Sequence, residues 1–103
     1  MADSVEWLSQ SFSVHSPDAN WSEAAGVYIF AALNPQNQWF PIDVGQATSF
    51  RTRLPTHERW SEAARLGATH IHAIVVPLQE SRTRLEAELI RTYRPHLNEQ
   101  LKP

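Results

Sequence analysis

The sequence predicts an α+β domain: a small three-stranded sheet, mixed or antiparallel, flanked by helices in the order β-β-α-β-α. Three observations predict it. Two extended apolar runs, GVYIFAAL at 26–33 and WFPIDVG at 39–45, stand on either side of a short polar turn. A third run, ATHIHAIVVP at 68–77, follows an interval with helix-compatible residues. Apolar residues then recur at helical spacing through the closing stretch 81–98. A chain of 103 residues, 42% hydrophobic and 19% charged, suits one small domain around one core.

Residues 1–24 read as an N-terminal extension, with room for a short edge strand in SVEWLSQSFSV and a loop after it. The run from Gly26 is rich in β-branched and aromatic residues, as a buried strand is. Asn34-Pro35 marks the turn, and Pro41 places the second run at a sheet edge or a bulge. Thr48 or Ser49 caps the next helix. Pro55 kinks that helix or divides it in two, Ser61 caps the second piece and Gly67 ends it. Pro77 stops the third strand, Pro95 stops the last helix, and 99–103 form a tail.

On the last helix Arg82, Leu85, Leu89, Ile90 and Tyr93 gather on one side, and Glu86 falls in the same arc, whereas Glu88 lies opposite between Arg84 and Arg91. A carboxylate on the core side lifts its head to solvent, pairs with an arginine, or holds a divalent metal at the floor of a site. Charge is unevenly divided. Residues 1–50 have no Lys or Arg and five acids, a charge of −5; residues 51–103 hold all nine basic residues against six acids, +3. Eight of the nine are Arg, which suits either locally held phosphate or two solvated helix faces. With no cysteine, disulfides and thiolate chemistry are excluded. No apolar run approaches a membrane span and no secretory leader is legible, so a cytoplasmic protein without a membrane partner is expected.

In chain order stand Gly26-Val27-Tyr28, then Asp43-Val44-Gly45, then Arg53 and His57 four apart, then Glu86 in LEAELI, and finally Pro95 and Asn98 in RPHLN. Together they resemble the GIY-YIG nuclease superfamily over residues 25–98, which would form the catalytic domain. The resemblance implies metal-dependent endonucleolytic hydrolysis of nucleic-acid phosphodiesters, DNA ahead of RNA, with Mg2+ or Mn2+ held by Glu86. It further implies that Arg53 offsets charge at the scissile phosphate, Tyr28 orients or deprotonates the attacking water, and His57 relays that proton. Asn98 would support the site, and Gly26 and Gly45 would let backbone approach closely near it. With no appended DNA-binding domain in view, specificity would be low or supplied by a partner or a homodimer.

Each residue also has a plainer fate. Tyr28 could be a core aromatic, Arg53 and His57 exposed helix residues, and Asn98 a turn or cap. His70 and His72, two apart on one strand, read as exposed strand residues ahead of a metal pair. The second motif departs from the family, since Asp43 stands where a tyrosine is usual. Asp43 would then act as the base or as a second oxygen ligand, or the fold would persist as a catalytically inactive module binding nucleic acid or a protein.

Overall fold

The structure, a computed structural model, describes residues 4–100. It is an α+β fold in which one antiparallel sheet lies between two groups of helices. The sheet has five strands rather than three: β1 (Ser4–Trp7), β2 (Gln10–His15), β3 (Gly26–Leu33), β4 (Trp39–Ala47) and β5 (His70–Val75), in the spatial order β1-β2-β5-β3-β4. The N-terminal stretch supplies a hairpin instead of one edge strand, because Leu8 and Ser9 take positive φ (52° and 63°) and turn the chain back. Residues 1–3 and 101–103, the latter within the expected tail, lie outside the described residues.

β3 is buried along nearly its whole length because both of its faces are covered. On one face Tyr28, Phe30 and Ala32 pack with Ile71, Ala73 and Leu97 beneath α1 (Phe50–Arg53) and α2 (Trp60–Arg65). On the other, Val27, Ile29 and Val44 meet Leu85 and Leu89 of α3 (Gln79–Tyr93). β4 is an edge strand, and the β3–β4 register slips between Phe30↔Asp43 and Ala31↔Pro41, so Pro41 sits beside a bulge where its missing N–H costs no ladder bond.

Ser49 caps α1, its hydroxyl accepting from the Thr52 N–H at 3.3 Å. The helix lasts four residues and ends before Pro55, so His57 lies in the turn that follows and is not one helical turn beyond Arg53. Arg59, not Ser61, stands at the start of α2. α3 ends at Arg94 in the left-handed region (φ 50°), and Pro95 leads into a short α4 (His96–Gln100) that was not expected and that reaches into the expected tail 99–103. That short helix buries Leu97 and carries Asn98. Among the described residues, no helix is long and apolar enough to cross a membrane.

Candidate active site

Tyr28 is the third residue of β3, and its register partner on β4 is Gly45. The phenol lies directly over that glycine; a Cβ there would overlap the Tyr28 hydroxyl, so Gly45 exists to make room for it. Gly26 serves a different neighbour. A Cβ at that position would meet the Ile74 carbonyl and the Phe50 ring, which places its close approach beside α1 and not at the phenol.

The Tyr28 hydroxyl lies 2.6 Å from His57 Nε2, and the two rings meet edge to face with centroids 5.3 Å apart. His57 Nδ1 accepts the Arg59 backbone N–H at 3.1 Å. That acceptor role assigns the single proton of the neutral ring to Nε2, so His57 donates to the phenolic oxygen and leaves the tyrosine's own proton for another acceptor. Burial, then the nearby Arg53 charge, pushes His57 down to about 4, which keeps the ring neutral. Burial pushes Tyr28 up to about 12, against the pull of the Arg53 and Arg59 guanidinium groups.

Asp43, opposite Phe30 on β4, has no exposed surface. Neither carboxyl oxygen has a well-formed hydrogen bond among the described residues, and the adjacent Val44 N–H donates to Asn98 Oδ1 at 2.8 Å. The nearest cation is Arg59, with Nη1 3.4 Å from Oδ1. Burial outweighs that attraction and raises the carboxyl to about 6, and the negative charge of Glu86 adds to the rise. Arg59 was not legible as a site residue; its only sequence signal is its place two residues after His57.

Arg53 is half-buried at the end of α1 and turns its fork to Glu58, with bonds of 2.8 and 3.2 Å. Hydrogen bonding to Arg53 holds the Glu58 carboxyl down at about 2. Glu86, half-buried on α3, accepts the Gln46 side-chain amide at 2.8 Å, and Gln46 follows Gly45 on β4. Gln46 is thus a second residue that sequence reasoning missed. Asn98 grips β4 from α4, accepting from the Val44 N–H and donating to the Val44 carbonyl at 2.9 Å.

The fold therefore brings Tyr28, His57, Arg53, Asp43 and Glu86 into one electrostatic neighbourhood, with Asn98 and Gly45 beside it and Gly26 apart from it. His72 lies on the opposite face of the sheet and is fully buried, not exposed: its Nδ1 accepts from the Trp7 indole at 3.0 Å, and Trp39 covers it. A divalent cation fits the donor chemistry of Glu86, a hard carboxylate on the α3 side of the sheet beside Gln46, while Asp43 lies on the Tyr28 side, close enough to feel the Glu86 charge. Among the described residues no group of three or more His, Asp or Glu side chains forms a metal cage, so water and phosphate oxygens would complete the coordination.

No family model and no curated protein matches the chain. Solved structures do. The GIY-YIG N-terminal endonuclease domain of UvrC from Thermotoga maritima, bound to its catalytic divalent cation magnesium, matches with a TM-score of 0.60 at 31% identity, over 74% of this chain and 84% of that one. A point mutant of the same domain, bound to its catalytic divalent cation, matches with a TM-score of 0.60 at 32% identity, over 74% and 83%. The chain belongs to the GIY-YIG superfamily. In this GIY-YIG domain the second motif reads Asp43-Val44-Gly45, and the aspartate side chain faces the same side of the sheet as the first-motif tyrosine.

Proposed function

We propose that this GIY-YIG domain is a metal-dependent endonuclease that hydrolyses phosphodiester bonds of nucleic acid, DNA ahead of RNA. The observation that supports it most is electrostatic proximity, Tyr28 to Arg53 and Asp43 and Asp43 in turn to Arg53 and Glu86, with the phenol held by His57. Glu86 would hold Mg2+ or Mn2+, whose contribution when bound is Lewis-acid polarisation of the phosphate and charge compensation at the leaving oxygen.

The chain's own residues divide the remaining work. Arg53 binds the scissile phosphate, for which Glu58 must release the guanidinium fork. Tyr28 positions the attacking water; held near 12, the phenol keeps its proton at neutral pH and is a poor base. Asp43, raised by burial to about 6 in the metal-free protein, stands on the Tyr28 side of the sheet as the acceptor for the water's proton. His57 donates to Tyr28 and fixes its ring, a positioning role instead of a relay. Asn98 and Gly45 hold the β4 backbone and the phenol in register.

A second reading has an observation of its own. Asp43 is sealed from solvent and paired with Arg59, which favours a catalytically inactive module that binds nucleic acid or a protein. Supercoiled plasmid with Mg2+ or Mn2+ separates the two. Nicking by the wild type, lost in Glu86→Ala and in Arg53→Ala, supports the nuclease; intact plasmid in all arms, with the variants folded, supports the inactive module.

A further inference from the structure

The register of the sheet sets five residues in one row across its strands: Ser4, Ser13, Ala73, Tyr28 and Gly45. Register partners share a face, so Ser13 and Ser4 stand on the side of the sheet that carries the Tyr28 phenol. α1 and α2 pack over β3 and part of β5 on that face. Over β1, β2 and β5 it opens into a pocket of about 440 Å³, within the usual size of small-ligand sites, with Ser4, Ser11, Ser13 and His15 among its lining and Trp21 and Phe50 along its wall.

The chemistry of this pocket is specific. No Lys, Arg, Asp or Glu lines it, so it has no grip for phosphate. Ser13 donates its one proton to the Ala73 carbonyl at 3.1 Å and therefore accepts from His15 Nε2 at 2.6 Å. Nε2 therefore carries a proton, and burial, which lowers the His15 pKa, favours the neutral ring, in which Nδ1 is an acceptor. Trp21, only 6% exposed, stacks obliquely on His15 with centroids 4.6 Å apart, and its buried indole N–H has no acceptor among the described residues. Aromatic faces, hydroxyls that donate and accept, an indole donor and an imidazole acceptor, all without net charge, are what a heterocyclic base edge and face require.

We propose that the N-terminal hairpin builds a pocket for one unpaired nucleobase of the substrate strand. The proposal rests on the nuclease reading for its ligand class. Ser13 stands two strands from Tyr28, roughly 10 Å away, so the bound base belongs roughly two or three nucleotides from the scissile phosphate. The substrate class that follows is nucleic acid with a single-stranded segment beside the cut.

The test is NMR on the full chain titrated with adenosine and cytidine, with ribose 5-phosphate and indole as controls, in the wild type and in Ser13→Leu. Ser13 is exposed, so the leucine fills the pocket without entering the core. At about 10 mM nucleoside, shifts confined to Ser11, Ser13, His15 and Trp21 are expected, weakened about tenfold in affinity by Ser13→Leu and little changed by salt. In single-stranded oligonucleotides, an abasic nucleotide walked along the strand should cost the wild type about tenfold at one position and cost Ser13→Leu nothing there. Absent nucleoside shifts, or equal shifts with indole or ribose 5-phosphate, overturn the pocket even if the protein nicks DNA. Nucleoside shifts at the pocket without nicking leave it standing while the nuclease reading falls.

Discussion

The phenol of Tyr28 is held by what surrounds it: a glycine beneath, a neutral histidine at its oxygen, and two guanidinium groups that temper the cost of its burial. Gly45→Ala should therefore do more than crowd a strand. The added methyl overlaps the phenolic oxygen, and overpacking of that kind costs about 1–3 kcal/mol. We expect a lower melting temperature and nicking reduced at least tenfold, whereas an alanine that left both unchanged would show that the phenol moves aside freely. At the neighbouring carboxylate, Asp43→Asn keeps the shape and removes the base. The nicking rate of the wild type should rise with pH as Asp43 ionises, about 6 in the metal-free protein and lower with a divalent cation nearby, and the asparagine variant should lose that rise along with most of its rate. The tyrosine, arginine, histidine and glutamate could be picked out because they stand in the family's order; Arg59 and Gln46 could not, because a salt bridge and an amide contact between separate elements leave no periodicity in the sequence.

Among the elements, β4 depends most on a partner outside the sheet. Its outer edge would leave the Val44 N–H and carbonyl unpaired, and Asn98 from α4 meets both as a further strand would. Asn98→Ala strands two backbone groups in a half-buried place, which costs about 2 kcal/mol. Chemical denaturation should show that loss, with Asn98→Asp recovering part of it because a carboxylate accepts from the N–H but repels the carbonyl. The runs that became β3, β4 and β5 were legible from their apolar stretches, and α3 from apolar residues recurring at helical spacing. For β1 and β2 only one short edge strand was legible, since their alternation is weak and the turn at Leu8 and Ser9 carries no glycine or proline signal. α4 is one short turn whose burial of Leu97 is set by the tertiary fold.

At the scale of the whole molecule, two histidines tie the fold to pH. His72 and His57 are both lowered to about 4, chiefly by burial, against about 6.5 in an unfolded chain. Their folded values lie below the unfolded ones, so between 6.5 and 4 the unfolded chain binds more protons. Stability is then full above 6.5 and is lost as pH falls toward 4, by up to about 3 kcal/mol for each ring, while Asp43, raised to about 6, returns a comparable amount over the same interval. Melting temperature against pH should fall below about 6, and His72→Gln should flatten much of that fall.

The claim on which the functional account turns is spatial: one divalent cation finds the Glu86 carboxyl and, with it, the neighbourhood of Asp43, Gly45 and Tyr28. Paramagnetic broadening by Mn2+ in the NMR spectrum of the full chain measures it directly, without any need for turnover. The account predicts that amide signals of Tyr28, Asp43, Gly45, Gln46 and Glu86 broaden first and together, and that Glu86→Ala abolishes the effect. Broadening centred elsewhere, or unchanged in Glu86→Ala, would contradict it.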